Sequence, residues 1–320
     1  LARLAQGRYA SARDDLQAGV RGDPRRALLW YNLAVAHANL EQDAPAVEAL
    51  QRYRELVADA DADPTFLNLY AMVLENSGQL AEARAVREAL CALRPDDLTA
   101  WLELTALCVA TEDLDAALPA AKRAWALGPK NDVRAGVLLA EVLAQRGELL
   151  ECVDVMSELM LAHPENPKLR AILAEFLYRA KHYALAETML DRYLERVPDD
   201  VQGLTRRAGA RAEQGKLKEA VLDLDRALEL APADLTSRYN RGLILMRAGR
   251  LTLALGDLAQ VVAASPADLN ARLFYAQTLN LLGRPHEARA TVDAFLRAYP
   301  EHPQAPELRA LNAGFPRLLR

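Results

Sequence analysis

The sequence predicts an all-α protein made of stacked pairs of antiparallel helices, because two regularities run along the chain in phase with each other. Small residues recur at two fixed distances from a repeating proline, and a fixed period of this length is typical of a stacked array rather than of one closed core. The prolines recur at an interval that is constant to within one position: Pro95, Pro129, Pro164, Pro198, Pro232, Pro266 and Pro300.

The small residues occupy two slots, which predict close contact between paired helices, since a bulky side chain would push the helices apart. Twenty-four residues before the prolines stand Ala71, Ala140, Ala174, Ala208, Gly242 and Ala276, with Thr105 as the exception. Twelve residues before them stand Ala83, Ala117, Ala186, Ala220, Ala254 and Ala288, with Cys152 in the remaining place.

One period, residues 201–234, contains the start and stop signals of two helices. Apolar residues recur at helical spacing on both sides of Gly215, which suits the left-handed residue that ends a helix. Pro232 stops the second helix, and Asp234 stands where the next helix needs an N-cap. Equivalent residues recur elsewhere: Gly7, Gly78, Gly147, Gly249 and Gly283 for the turn, and Asp63, Asp97, Asp200, Asp268 and Asn166 for the cap. We expect Pro64, Pro167 and Pro303 at first helical positions.

This pattern resembles the tetratricopeptide repeat. We number the positions of each repeat from its first residue and call them slots. The family has a large residue in slot 4, small residues in slots 8, 20 and often 27, and proline in slot 32. The matching residues are Trp30 and Trp101 in slot 4, Ala34 and Gly242 in slot 8, Ala220 in slot 20, Ala124 and Ala227 in slot 27, and Pro232 in slot 32. The departures are a first repeat that lacks the proline and carries three extra residues, Cys152 in slot 20, and large residues in slot 27 (Tyr53, Tyr193, Phe295). The resemblance implies a right-handed superhelical solenoid of antiparallel helix pairs.

The period divides the chain into eight repeats with incomplete ends. The repeats are 27–63, 64–97, 98–132, 133–166, 167–200, 201–234, 235–268 and 269–302. Residues 1–26 are interpreted as a partial repeat, which predicts a chain that begins inside a helix and belongs to a longer protein. Residues 303–320 are interpreted as a C-terminal capping helix and an apolar tail that packs on the last repeat or serves as a docking stub.

Composition and motifs give no indication of catalysis. Net charge is −5, and the basic residues alternate with acids, so nucleic-acid binding is not expected. No apolar run reaches the ~18 residues of a membrane span. The five histidines are scattered, the three cysteines lack metal or disulfide spacing, and no phosphate-binding or nucleophile motif is present. We therefore predict neither catalytic residues, nor a metal, nor a cofactor.

The resemblance also implies that the first helix of each repeat lines a concave groove through slots 2, 5, 6, 9, 12 and 13. Asparagine amides in these slots can bond a peptide backbone, aromatic residues and Met offer apolar contact, and Arg groups suit carboxylates. The candidate partner-binding residues are Tyr31, Asn32, Asn68, Met72, Asn76, Glu103, Glu141, Glu175, Arg179, Arg206, Tyr239, Asn240, Arg247, Asn270 and Gln277.

The leading functional hypothesis is a non-enzymatic scaffold that binds a peptide, a helix or a folded protein in this groove. The excess of Arg over Lys is interpreted as a sign of a bacterial source, where the partner could be a small GTPase, a pilus or secretion component, or a polarity factor. Two alternatives stay open: the recognition arm of a larger enzyme such as a glycosyltransferase, and a periplasmic scaffold of polysaccharide export or envelope assembly. The unpaired cysteines favour the cytoplasm, with the periplasm as the alternative. The sequence leaves the oligomeric state open.

Overall fold

The structure of the chain is a computed structural model, and it describes residues 2–129, 131–303 and 305–314. These residues form α-helices joined by short turns, and they divide into two bodies, Leu1–Ala162 and His163–Arg320. The predicted all-α architecture of paired antiparallel helices is confirmed. The predicted tail, residues 315–320, lies outside the described residues.

In the first body, each helix packs against its neighbour in the chain. Its helices are α1 Ala2–Ala5, α2 Tyr9–Gly22, α3 Ala27–Ala38, α4 Asp43–Leu56, α5 Pro64–Asn76, α6 Leu80–Leu93, α7 Leu98–Ala110, α8 Leu114–Leu127, α9 Val133–Arg146 and α10 Leu149–Ala162. The three extra residues of the first repeat lie in a loop that contains a short 3-10 helix, Ala60–Ala62.

The second body repeats the same plan. Its helices are α11 Lys168–Arg179, α12 Tyr183–Leu194, α13 Val201–Glu213, α14 Leu217–Leu230, α15 Leu235–Arg247, α16 Leu251–Ala264, α17 Leu269–Leu281, α18 Pro285–Ala298 and α19 Ala305–Gly314. The odd-numbered helices α11 to α17 are the first helices of their repeats, and α12 to α18 are the second.

The small slots lie at the contacts between paired helices. Ala208 and Ala220, which face each other across the α13–α14 pair, have no exposed surface. At Gly242, an added Cβ would lie 2.9 Å from Cγ of Leu258, so even alanine would force a shift there. The sequence prediction of close helix approach is therefore confirmed, and its cause is the lack of room for a larger side chain.

The turn between the two helices of a repeat has a left-handed residue in every repeat. All six predicted glycines have positive φ, with Gly215 at 78°. Three repeats place other residues in the same slot: Glu41, Glu112 and Lys181, with φ of 56°, 58° and 63°. These three turns carry strain because an L side chain is disfavoured in this region.

The predicted aspartate caps are confirmed, whereas two of the three proline positions are wrong. Asp234 accepts a hydrogen bond from the Ser237 amide at 2.8 Å, and the other four predicted aspartates act likewise. Pro64 begins α5. Pro167 instead lies one residue before α11, because its carbonyl accepts from the Arg170 amide in a tighter turn. Pro303 lies in the turn before α19.

Two polar cross-links tie neighbouring repeats together in the second body. Arg207 binds Asp191 of the preceding repeat at 2.8 Å and Asp223 of its own repeat at 2.7 Å. Arg241 repeats the arrangement one repeat further on, with Asp225 and Asp257 each at 2.7 Å. Each arginine stands in slot 7 and joins its own repeat to the preceding one. We call these contacts the arginine ladder.

In the first body, slot 7 has a different chemistry. Tyr70 occupies it in α5 and stacks on Phe66 at 5.5 Å. The contact continues from Phe66 to Tyr53 and from Tyr53 to Tyr31, each with ring centroids 5.3 Å apart. These four rings, which we call the aromatic run, join α3, α4 and α5. Aromatic pairs of this kind add about 0.5–1.5 kcal/mol each beyond their burial.

Candidate functional site

The first helices of three consecutive repeats in the second body enclose a cavity of about 450 Å³. Its lining residues come from α11, α13 and α15, with one residue from α12. The lining, which defines what we call the α11–α15 cavity, is Ala174, Glu175, Tyr178, Leu190, Thr205, Arg206, Gly209, Ala212, Glu213, Thr236, Asn240, Leu243, Ile244 and Arg247.

The floor of the α11–α15 cavity is apolar. Ala174, Leu190, Ala212 and Ile244 line it and are buried in the core, so their positions are fixed by packing. Tyr178 contributes a ring that is 38 % exposed. A concave site with an apolar floor and few polar groups is the usual form of a binding site in proteins.

Two ion pairs lie at the edge of the cavity. Arg206 Nε lies 3.3 Å from a carboxylate oxygen of Glu175, and Arg247 Nη1 lies 2.8 Å from one of Glu213. Arg247 also donates to the carbonyl of Ala212 at 2.9 Å. Each of these predicted arginines is therefore paired with a carboxylate of the chain itself, in an ion pair that is partly exposed.

Polar groups of three lining residues, Thr236, Asn240 and Tyr178, have no such pairing with a described residue. The Asn240 amide and the Tyr178 hydroxyl make no hydrogen bond with any residue in the described part of the chain. Burial raises the pKa of Tyr178, and the nearby Glu213 carboxylate raises it further, so the phenol stays neutral at physiological pH. Both groups can therefore donate and accept hydrogen bonds from within the cavity.

Gly209 makes room for the cavity. It lies in the middle of α13, where glycine costs about 0.5–1 kcal/mol relative to alanine. A Cβ built on it would contact the Tyr178 ring at an ordinary 3.6 Å, so packing does not require glycine here. A side chain at this position would instead extend into the cavity.

Sequence reasoning selected four of these residues and missed others. Glu175, Arg206, Asn240 and Arg247 were predicted and are brought together here. The missed lining residues Tyr178, Gly209, Glu213, Thr236 and Leu243 occupy slots 12, 9, 13, 2 and 9, which are among the predicted groove slots. The signal was therefore present, but the prediction named only part of the residues in those slots.

Two predicted residues of the first body take part in an internal cross-link. Arg87 is only 3 % exposed and donates to Asn68 at 2.7 Å, to Glu75 at 2.7 Å and to Glu103. Burial raises the pKa of Glu103, and Arg87 partly offsets that rise. Asn68 and Glu103 therefore hold α5, α6 and α7 together, and they also line a smaller cavity of about 230 Å³.

Five other predicted residues have contacts within their own body. Tyr31 belongs to the aromatic run, and Tyr239 lies edge-on to Phe274 with centroids 6.1 Å apart. The remaining three use their polar groups: Asn32 donates to the Leu28 carbonyl, Asn76 donates to Asp43, and Glu141 accepts from Gln145. Burial raises the pKa of both tyrosines.

The side chains of four predicted residues make no hydrogen bond or ion pair with any described residue: Met72, Arg179, Asn270 and Gln277. Gln277 is half-buried and the others are exposed. The structure brings none of them to the α11–α15 cavity.

The described residues contain no group of three or more His, Cys, Asp or Glu side chains that could hold a metal ion. Within the same part of the chain, no helix has both the length and the apolar character that a membrane crossing requires. The three cysteines are free and buried, as the sequence predicted. Burial raises the pKa of Cys91 to about 12 and that of Cys152 to about 11.

The fold and the site together define a helical-repeat protein. Sequence models of three kinds match it: tetratricopeptide repeats at residues 153–208 and 245–311, further tetratricopeptide repeats at residues 205–268, and YpiA-like C-terminal tetratricopeptide repeats at residues 28–97. The chain belongs to the tetratricopeptide repeat family. No curated protein matches the sequence.

Solved structures show the same fold at low identity. A tetratricopeptide repeat protein from Parabacteroides merdae is 13 % identical, with a TM-score of 0.59, over 84 % of this chain and 99 % of that one. A chain of the APC/C hetero-tetramer Cut9–Hcn1 is 15 % identical, with a TM-score of 0.50, over 94 % of this chain and 58 % of that one. A chain of the Naa15/Naa10 complex bound to HypK is 17 % identical, with a TM-score of 0.46, over 92 % of this chain and 45 % of that one. The chain therefore spans about half the length of the last two.

Proposed function

We propose that this chain is a non-catalytic interaction scaffold that binds a segment of a partner protein in the α11–α15 cavity. The observation that carries the proposal is the cavity itself: about 450 Å³ of space, an apolar floor, and the polar groups of Asn240 and Tyr178, which have no partner among the described residues. Membership of the tetratricopeptide repeat family supports it, because repeat arrays of this kind bind other proteins through extended surfaces.

The chemistry of the cavity favours an uncharged, apolar side chain as the anchor of the bound segment. Glu175 with Arg206, and Glu213 with Arg247, already neutralise each other. A charged anchor would therefore find no unpaired counter-charge in the lining, whereas an apolar anchor gains by covering the apolar floor. The Asn240 amide has a donor and an acceptor, and it suits a peptide group next to the anchor.

Gly209→Leu tests the proposal because it fills the cavity without disturbing a buried contact. Short random peptides displayed on phage would first be selected on the unaltered protein. We expect Gly209→Leu to weaken binding of the selected peptides at least tenfold, equivalent to a loss of about 1.4 kcal/mol. The same change should raise helix stability slightly, since leucine is a better helix former than glycine.

Gly256→Leu is the matched control. Gly256 also lies within a helix, α16, but an added Cβ there meets no atom within 4 Å. This variant should bind the peptides like the unaltered protein. Equal binding by Gly209→Leu and Gly256→Leu, with unchanged circular dichroism, would reject the α11–α15 cavity as the binding site.

We also propose a cytoplasmic location, supported by three buried cysteines without disulfides. A fluorescent fusion to the protein expressed in its own cell would test this.

Affinity capture followed by mass spectrometry would identify the partner. The captured protein would show whether the partner is a small GTPase, a pilus or secretion component, or a polarity factor. The Gly209→Leu variant would serve as the negative control.

A further inference from the structure

A second cavity, of about 430 Å³, opens in the first body between α2 and α4, above α3. Val20, Leu33 and Ala49 form its apolar floor, and His37 lines it as well. Arg21 on α2 and Glu48 on α4 stand exposed at its edges. We call this cavity the α3 crevice.

The repeat plan explains why the α3 crevice is open. In repeat 201–234, the slots of Leu33, His37 and Ala49 hold Arg207, Arg211 and Asp223. Those three side chains converge in ion pairs, with Arg207 and Arg211 reaching Asp223 at 2.7 and 2.8 Å. In the first body, the same slots hold Leu33, His37 and Ala49, which form no ion pairs with described residues and line the α3 crevice.

His37 gives the crevice its chemical character. It is 5 % exposed, and its Nδ1 lies 2.8 Å from Oε1 of Gln42. Its Nε2 has no hydrogen-bond partner among the described residues. A partner that covered this nitrogen with an apolar group would leave a buried polar atom unsatisfied, which weakens binding.

The edges of the crevice carry two free charges of opposite sign. Neither Arg21 nor Glu48 forms an ion pair with any described residue. Because the two charges stand on different helices, a bound segment would meet the positive charge on one side and the negative charge on the other. Complementary recognition therefore requires an acidic residue towards α2 and a basic residue towards α4.

We propose that the α3 crevice binds a tyrosine side chain of a partner protein, flanked by one acidic and one basic residue. The ring covers the floor at Leu33, and the hydroxyl bonds Nε2 of His37. Oε1 of Gln42 can only accept, so Nδ1 of His37 carries the proton and Nε2 of the neutral ring accepts a hydrogen bond from the tyrosine hydroxyl. Serine and threonine are too short to cover the floor, and a carboxylate would lie near the like charge of Glu48.

His37→Leu separates recognition from folding. Five other repeats carry leucine in the same slot: Leu74, Leu143, Leu177, Leu245 and Leu279. All five are buried there, so the fold accommodates leucine at this position. We therefore expect the His37→Leu variant to fold and to melt at the same temperature as the unaltered protein or higher.

The experiment uses the full chain with Gly209→Leu, so that the α11–α15 cavity is blocked. Random peptides displayed on phage are selected on this protein, and the affinities of the selected peptides are measured by calorimetry. We expect enrichment of tyrosine with an acidic and a basic neighbour. Replacing that tyrosine by phenylalanine should weaken binding about tenfold, the value of one buried hydrogen bond of about 1.4 kcal/mol.

A double-mutant cycle tests the contact itself. On His37→Leu, the tyrosine and phenylalanine peptides should bind equally well, since the hydroxyl has lost its partner. The double variant Arg21→Glu/Glu48→Arg should prefer peptides in which the acid and the base are exchanged. Selected peptides without tyrosine, or an unchanged tyrosine preference on His37→Leu, would overturn the proposal. Neither result would affect the α11–α15 cavity, which is blocked throughout.

Discussion

The aromatic run of the first body and the arginine ladder of the second solve the same packing problem with opposite chemistry. Slot 7 faces the neighbouring second helices in both regions, with Tyr70 in one and Arg207 and Arg241 in the other. Tyr70 contributes burial and a hydrogen bond from its hydroxyl to Glu82 at 2.6 Å. Arg207 and Arg241 each contribute a charge that is paired with one aspartate of its own repeat and one of the preceding repeat. The backbone plan therefore leaves the chemistry of this slot open.

The difference predicts where each region is vulnerable. A buried ion pair contributes little net stability when intact, but losing one partner leaves an uncompensated charge. An aromatic cluster loses stability gradually, in proportion to the surface that is removed. Removing one charge from the arginine ladder should therefore cost more than removing one hydroxyl from the aromatic run.

Arg241→Met should cost about 3–5 kcal/mol, because it leaves the Asp257 carboxylate buried without its paired guanidinium. Asp257 is 4 % exposed, and its other cation, Arg238, lies 3.6 Å away. Urea denaturation followed by circular dichroism would measure the loss. The double variant Arg241→Met/Asp257→Leu should recover part of it, since the buried carboxylate is removed and Arg238 keeps its hydrogen bond to the Pro232 carbonyl. A cost below about 1 kcal/mol for the single variant would refute the uncompensated-charge explanation.

Glu187→Gln should destabilise the second body by about 1–3 kcal/mol at pH 7 and flatten its acid response. Burial alone would raise the pKa of Glu187, but hydrogen bonds from Lys216, Arg211 and Gln214 outweigh it and lower the pKa to about 2. A lowered carboxyl pKa gives stability that is present above the usual value of 4.5 and is lost as the pH falls to about 2. Hydrogen exchange of α12 and α13 across this range would show it.

Tyr70→Phe should cost about 0.5–1.5 kcal/mol at neutral pH, through the lost hydrogen bond to Glu82. Burial, and then the hydrogen bond to Glu82, raise the pKa of Tyr70 to about 12. A raised pKa means that this stability is complete below the usual value of 10 and is lost as the pH rises through 12. Alkaline titration of the melting temperature should therefore show a transition in the unaltered protein that the variant lacks.

Lys181→Gly should raise stability by about 0.5 kcal/mol, because it removes a left-handed side chain at a small entropic cost. The φ of Lys181 is 63°, and glycine occupies the same slot in most other repeats. Thermal melts would measure the gain. Gly215→Ala, which introduces the strain in the opposite direction, should lower the melting temperature. If both changes shift it the same way, backbone strain at this slot is not the cause.

The repeat elements could be predicted from the sequence because each depends on local chemistry. Gly215 marks a left-handed turn, Asp234 caps the next helix, and Ala220 marks a close helix contact. These signals act over short stretches of chain and recur from repeat to repeat. The positions of Pro167 and Pro303 were predicted wrongly, because the exact start of a helix depends on which carbonyl the first amides reach.

The candidate site was predictable only in part. The slot pattern placed Asn240 and Arg206 in one groove, and in the structure both residues line the α11–α15 cavity. It did not reveal that Arg206 and Arg247 are already neutralised, since their partners Glu175 and Glu213 each belong to the preceding repeat. Ion pairing between repeats depends on side-chain geometry, which a periodic pattern does not specify.

The sequence by itself determined the helix pairs, their turns and caps, and the slots that face a neighbour, because backbone preferences and small side chains act locally. Only the tertiary structure decided whether the side chains in those slots pack together or leave a cavity. Arg207, Arg211 and Asp223 close one set with ion pairs, whereas Leu33, His37 and Ala49 leave the equivalent set open. The physical reason is that a cavity depends on whether side chains from neighbouring helices meet, and that depends on distances the repeat period does not encode.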